Sequence, residues 1–447
     1  MSDRSGLRRV GGNIAALVTG KAGAGLLSVV TLAIVARRLG VENYGVLTLV
    51  HGYVTLIGSV VAFSGWHGLV RYGGEALHRG DHGRFLRLVG FLSLIELGFA
   101  IVAIALAVLL VPLVGPRLGW PPDAIRFAPF YCIAVLATVR ATPQGILQLA
   151  DRFDLIGLHQ IVMPVVRLVG ALIAWAMGGG LTAFFLVWLA GALAEGISMW
   201  LFALGRLPGL VRDYDRPLGS SLRPRAIRRD NPGILPFIAT TNADLTLQEF
   251  APNAVPLVIG WVLGPAAVGL FALSLRVSNV IMQPARMMGQ ASYAVIADLI
   301  RRKRFAELSQ TVWRSVAIAT ALAGVLVAVI ALFAPTILTL LGGASFAGGA
   351  VLLIIVAAGR ALQAGAPVLI ATLTAFGRPG RSIMVNLSAS LVFLAVLPLL
   401  LARLGVEGAG LQVLLQAVAT IAALTWLVRR LLADPPEMPD DAPEVSS

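Results

Sequence analysis

Charge is scarce in this 447-residue sequence: Asp, Glu, Lys and Arg together make up 13% of it. A soluble domain carries about 25% charged residues, so the chain lacks the polar surface that a water-facing fold needs. Cysteine is nearly absent as well. Cys132 stands alone, which excludes an intrachain disulfide framework and a multi-cysteine metal site. The histidines do not replace it: His78 and His82 share a short polar loop with Asp81 and read as a solvated turn, while His51, His67 and His159 fall near the ends of apolar runs. Lysine is scarce too, with Lys21 and Lys303 the only two. There is no GxxxxGK[ST] phosphate loop, and the run Gly178-Gly179-Gly180 reads as a turn. Neither a cofactor nor a metal is expected.

What the sequence has in abundance is apolar. Hydrophobic residues make up 58% of the chain and the mean hydropathy is +0.87. A bilayer is crossed by roughly 20 apolar residues in a helix, and lipid satisfies no backbone hydrogen bond, so the spans must be helical. Twelve are expected. Six run about Asn13 to Ala36, Gly45 to Leu69, Leu88 to Val111, Phe127 to Leu149, Ile156 to Met177 and Thr182 to Leu204. Six more run about Ile234 to Val262, Ala266 to Gly289, Thr311 to Ala334, Gly349 to Ala375, Ile383 to Leu401 and Gly410 to Val428. The first is too long for a signal peptide's apolar region and reads as an uncleaved span. The fold class is therefore an all-α polytopic membrane protein.

The positive-inside rule gives the orientation. With both termini in the cytoplasm, the external loops hold only Arg37, Arg38, Arg117, Arg126 and Arg403, and the cluster Arg301-Arg302-Lys303-Arg304 lies inside. The net charge of +13 is then a record of topology spread over the inner loops. A nucleic-acid partner is not expected, whereas anionic lipid headgroups are within reach of those loops.

The longest polar stretch, 205–233, carries seven arginines and four prolines and reads as a cytoplasmic linker. It separates two six-helix lobes, 1–204 and 234–430, and an acidic, Pro-rich tail at 431–447 reads as disordered. The halves echo each other. Leu39-Gly40-Val41-Glu42-Asn43-Tyr44-Gly45 joins spans one and two, and Leu263-Gly264-Pro265-Ala266-Ala267-Val268-Gly269 joins spans seven and eight with the same LGxxxxG spacing. A third copy, Leu404 to Gly410, joins spans eleven and twelve. Six spans per repeat keep both halves in one orientation, and parallel repeats are a transporter architecture.

These landmarks, with Pro236 to Asp244 at the opening of span seven and the loop Ala375-Phe376-Gly377-Arg378-Pro379, resemble the polysaccharide flippase branch (the O-antigen flippase type) of the multidrug/oligosaccharidyl-lipid/polysaccharide exporter superfamily. The resemblance implies a V of two six-helix lobes. It also implies outward movement of an undecaprenyl-pyrophosphate-linked oligosaccharide across a bacterial inner membrane by alternating access, in surface polysaccharide synthesis. Polysaccharide-assembly proteins are then conceivable partners of the inner loops.

Independently of the resemblance, Lys21, Arg140, Arg167, Arg276 and Arg360 lie well inside spans. Each would cost roughly 2.5–3.5 kcal/mol at a helix centre on the insertion scale, so each must face a wet cavity or a partner. The span acids Glu96, Glu195, Asp244 and Glu249 nearly balance them, and interhelical ion pairs compete with a functional reading. As a set, the five basic residues are the candidate substrate site, because guanidinium and ammonium groups match a pyrophosphate. Arg286, closer to the inner end of its helix, reads as snorkelling. Asp244 and Glu249 are the candidates for ion or proton coupling. Pro252 and Pro256 should kink span seven.

Three other functions compete. A cation-coupled multidrug exporter of the same superfamily would need acidic and aromatic cavity walls, and the first span offers Lys21 and no acid. A membrane enzyme of polysaccharide assembly would need an external loop able to hold paired carboxylates, and the longest, about Pro112 to Arg126, contains Asp123 alone. A purely structural membrane protein would leave the buried charges without a purpose.

Overall fold

The computed structural model describes residues 3–61, 63–211 and 224–434, with the backbone alone at 3–24, 26, 224–226 and 243–245. Every regular element among them is a helix. In chain order the long ones are α1 (Asp3–Val61), α2 (His82–Arg117), α3 (Pro122–Tyr131), α4 (Ala141–Leu149), α5 (Phe153–Ala176), α6 (Leu181–Leu204) and α7 (Ile234–Leu263). They continue with α8 (Pro265–Ser278), α9 (Met282–Arg301), α10 (Phe305–Gly342), α11 (Ala350–Leu362), α12 (Ala366–Ala375), α13 (Pro379–Leu404) and α14 (Glu407–Ala433).

Ten helical stretches among the described residues are long and apolar enough to cross a membrane. The segment Leu27–Val61 counts there as one, although α1 is two helices joined at Gly40, whose φ of 73° and ψ of 174° are not helical. Dividing α1 there and adding α7 gives the twelve expected helices. Their surfaces are those of a lipid-embedded bundle. In α2 the small residues Ala100, Ala103 and Ala107 are buried while Ile101, Val102, Leu109 and Leu113 point outward, Leu109 with 74% of its surface free. Small residues let neighbouring backbones approach, and lipid takes the large apolar ones. A soluble helix would show the reverse.

Several boundaries differ from expectation, each for a local reason. Span two, expected to continue to Leu69, has a helix that ends at Val61 and resumes at Trp66, passing through a π-helical turn at Leu69–Gly73. Span four is α3, a 3-10 stretch Cys132–Thr138 and α4. Span eight is interrupted by a 3-10 turn at Asn279–Ile281 and span ten by another at Gln363–Gly365. In both halves, then, the second and fourth spans are the interrupted ones. The prolines of the 205–233 stretch do not abolish helix there: Pro208 and Pro224 sit in the first turns of Leu207–Leu210 and Pro224–Asp230, where a missing N–H costs nothing. Residues 212–223 lie outside the described set. The last helix runs to Ala433, beyond the expected end at 430, because Leu431 is buried; residues 435–447 are outside the described set. Pro252 and Pro256 both lie inside α7, which runs on as one helix.

The repeated glycine turn is visible in the backbone. Gly264 has φ 83° and ψ −179°, matching Gly40, a region open essentially to glycine alone. The second glycines of the two motifs meet reciprocally. A Cβ at Gly45 would lie 1.8 Å from the Pro265 carbonyl oxygen, and one at Gly269 would lie 2.2 Å from that of Val41. Val41 and Pro265 occupy the same motif position.

Two compact units make up the chain, 1–273 with 338–347, and 274–337 with 348–447. In the first, one end is held by arginine caps on helix C-termini. Arg37 Nε donates to the Leu340 carbonyl (2.7 Å), and Arg38 donates to those of Gly178 (2.6 Å) and Gly179 (3.2 Å), oxygens that a helix end leaves without partners. At the opposite end, Arg84 Nε donates to Asn231 Oδ1 (3.0 Å) and Arg87 pairs with Asp230 (3.1 Å). An apolar core around Leu69, Phe85, Leu88 and Leu92 includes Ile227, Ile234 and Ile238. The second unit has its own core around Ile296, Leu308, Leu369, Leu373 and Leu424.

Candidate functional site

A broken helix inside a membrane protein frees backbone donors and acceptors that lipid cannot satisfy. The first unit satisfies them with side chains from neighbouring helices. Glu96, on α2 and 2% exposed, accepts from the backbone N–H of Thr142 (2.8 Å), from its hydroxyl (3.0 Å) and, at 3.4 Å, from the N–H of Gly65. One carboxylate thus holds the N-terminus of α4 and the break in span two together. All three contacts fall on Oε1, and Oε2 is buried without a partner. The other face of the span-two break is held by α7: the Ser64 N–H donates to Asn242 Oδ1 (2.5 Å) and Asn242 Nδ2 donates to the Ser64 carbonyl (3.2 Å).

The break before α4 has a second set of partners on α6. Trp200 Nε1 donates to the Val139 carbonyl (2.7 Å), and the Arg140 guanidinium donates to the Glu195 carboxylate. His159 Nε2 stands 3.8 Å from Glu195 Oε1, while His159 Nδ1 lies 3.0 Å from Ser198 Oγ. The Ser198 hydroxyl donates to the Glu195 carbonyl (2.9 Å), so its oxygen accepts from a protonated Nδ1. Arg140 is therefore the basic member of an interhelical pair.

Arg167 is also committed. It is 7% exposed, its guanidinium lies 4.8 Å from the centre of the Trp188 ring, and its Nη2 is 3.4 Å from His51 Nε2. His51 Nδ1 is 2.8 Å from the Tyr131 hydroxyl. Arginine can only donate, so His51 Nε2 accepts and Nδ1 carries the proton toward Tyr131. Gly191 makes room, since a Cβ there would lie 2.8 Å from Arg167 Cγ.

The second unit is different in kind. Arg276 and Arg286 are exposed on α8 and α9. Arg360, on α11, donates to Gln363 Oε1 (3.0 Å) and leaves Nε buried without a partner. Arg286 is its electrostatic neighbour. Across α8, α9, α11 and α12 there is one acid, Asp298, and it sits near the end of α9 tied to Arg301 (2.5 Å) and Arg302 (2.8 Å). These spans thus carry arginines with no carboxylate in their middles to balance them.

Of the seven residues singled out from sequence, Arg140 and Arg167 lie in the first unit and Arg276 and Arg360 in the second. The side chains of Lys21 and Asp244 lie outside the described set. Glu249 is exposed, with its backbone carbonyl accepting from Asn253 Nδ2 (2.9 Å). Sequence reasoning does not find Glu96 as a site residue, nor Asn242 or Arg286. Ser64-Gly65 and Thr142-Pro143, polar and helix-weakening pairs inside apolar runs, are the available signals. Among the described residues no group of three His, Cys, Asp or Glu could hold a metal ion.

Comparisons with known proteins agree with this architecture. The MatE family model matches residues 244–399. The "Inner membrane protein YghQ" of Escherichia coli (strain K12) is 28% identical over 274 residues, 61% of this chain and 76% of that one. An inward-facing multidrug resistance MATE family transporter of the MOP superfamily superposes with a TM-score of 0.66 at 15% identity, covering 93% of this chain and 94% of that one. The lipid II flippase MurJ in an inward closed conformation gives 0.67 at 12% identity, covering 92% and 87%. The chain is an all-helical polytopic membrane protein with the fold shared by the MATE transporters and the lipid II flippase.

Proposed function

We propose that this protein is a transporter that moves a lipid-linked oligosaccharide, carried on undecaprenyl pyrophosphate, across a bacterial inner membrane. The observation that carries the reading is Arg360: its Nε is buried without a hydrogen-bond partner, and α8, α9, α11 and α12 hold no acid in their middles, while the charge of Arg286 acts on it. An unbalanced guanidinium gains from an anion, and a pyrophosphate offers several oxygens to such a fork. Arg276 of the same unit is a further proposed substrate residue, and Lys21 stays a proposed substrate residue of the first unit. Arg140 and Arg167 act through the frame: their partners Glu195, Trp188 and His51 hold them in place. The fold likeness to the lipid II flippase and the inner-membrane relative are consistent with this assignment. Asp244 and Glu249 remain proposed coupling residues on α7.

A multidrug exporter is the second reading, favoured by the MatE match and the MATE-type structures. One experiment separates the two. Purified protein is titrated with an undecaprenyl-pyrophosphate-linked glycan and, in parallel, with lipophilic organic cations. The flippase reading expects the glycolipid to bind and Arg286→Gln and Arg360→Gln each to weaken it about tenfold, the 1.4 kcal/mol of one charge-assisted contact. Cation binding without glycolipid binding overturns it in favour of the exporter.

A further inference from the structure

Glu96 has more capacity than its capping role uses. Three donors converge on Oε1, and Oε2 is buried with no hydrogen-bond partner. A carboxylate that only capped α4 would be expected to share its donors between both oxygens, because a bare anionic oxygen in a bundle interior is costly. A carboxylic acid would keep Oε1 as acceptor for the same three donors and carry its proton on Oε2.

We propose that Glu96 is a reversible proton-binding site, and that its charge state sets how firmly the breaks in spans two and four are held to each other. As the carboxylate it makes charge-assisted bonds to the Thr142 and Gly65 amides. When a proton from solution bonds to Oε2, charge −1 becomes 0 and those bonds weaken to neutral ones. The effect has a path outward, because Gly65 follows Ser64, and Ser64 is bonded through both its N–H and its carbonyl to Asn242 of α7. Gly68, three residues on, approaches Ile238 so closely that a Cβ would lie 2.9 Å from its side chain. Protonation at Glu96 thus loosens the attachment of α7 to the broken second span.

The neighbouring titratable groups are engaged elsewhere. His51 faces Tyr131 and Arg167, Arg140 faces Glu195, and Arg71 lies over the rings of Tyr72 and Phe237. On α2 itself and at the end it shares with Asp230, Arg84 and Arg87 are bonded to Asn231 and Asp230. Glu75 is bridged to Arg79 (2.8 Å) and to Arg84 (3.7 Å), His78 lies near the Gly74 carbonyl, and Arg229 is beside Asp230. Toward the other end of α2 are Asp123, Arg126, Tyr131 and Cys132, the last fully buried. His67, stacked on Trp66 next to the break, is the neighbour whose titration must be told apart from that of Glu96. A proton suits the site better than a metal cation, since Oε2 is a single buried carboxylate oxygen and the Thr142 hydroxyl is already used as a donor to Oε1.

The inference rests on the transporter reading only for its purpose, because the test needs no substrate. Infrared difference spectra of the purified full chain are recorded as the pH is lowered, with and without sodium. The expected result is a protonated-carboxyl C=O component that grows in wild type and in His67→Gln, shifts in frequency in Glu96→Asp, and is lost in Glu96→Gln from the summed absorbance of the chain's 22 Asp and Glu residues. Glu96→Gln retains an acceptor for the Thr142 and Gly65 amides, and its folding is checked by gel filtration and circular dichroism. Carboxyl spectra of wild type and folded Glu96→Gln that coincide at every pH overturn the proposal. So does a wild-type response that follows sodium concentration at fixed pH. Failure of glycolipid binding would leave the proton site standing.

Discussion

A charge inside a membrane bundle is stabilised only by what it touches. Arg140 and Glu195 hold each other where span four breaks, so removing one member strands the other in a partly desolvated place. Arg140→Ala and Glu195→Ala should each lower thermal stability in detergent, and the double variant should lose less than the sum. Coupling on the order of 1–3 kcal/mol is expected from a thermal-unfolding double-mutant cycle. Additive losses would mean that the pair is incidental. Sequence shows that Arg140 and Arg167 lie inside spans, because hydropathy reports depth. It does not show their partners, since Glu195 is 55 positions from Arg140 and His51 is 116 from Arg167. Arg286 escapes a sequence reading for the same reason: its charge acts on Arg360 across 74 positions, and position along a helix suggests only an exposed end.

At the scale of elements, the twelve apolar runs are legible because bilayer thickness imposes one length on all of them. The interruptions are not. Residues 132–138, Cys-Ile-Ala-Val-Leu-Ala-Thr, are apolar but for the terminal Thr138 and carry no proline or glycine. What permits the break is Glu96 and Trp200 on other helices, which take over the released backbone groups. The glycine turns are legible as a repeated spacing, and the structure gives the spacing its cause. Gly45 is required by the Pro265 carbonyl, whereas a Cβ added at Gly52, two turns on, would meet nothing within 4 Å. Gly45→Val should therefore cost about 1–3 kcal/mol or more through overpacking. Gly52→Ala should be neutral or stabilising by about 0.5–1 kcal/mol. Thermal unfolding of the two variants side by side checks this, and equal effects would remove the close-approach argument.

For the whole molecule, orientation is the testable quantity. Cys132 is fully buried, so a Cys132→Ala background leaves no native thiol. In that background Arg126→Cys should react with a membrane-impermeant maleimide on intact spheroplasts, and Arg302→Cys only after permeabilisation. The reverse pattern would invert the topology and place both termini outside. The reciprocal glycine contact also bears on origins. When residue a of one turn meets residue b of another, and b meets a in return, the contact is isologous, as two identical subunits make about a two-fold axis. Gly45 against Pro265 and Gly269 against Val41 have that form. A single six-helix chain bearing one LGxxxxG turn could make the same contact with a second copy of itself, so this turn already has the self-complementarity of a homodimer interface, now written twice into one polypeptide.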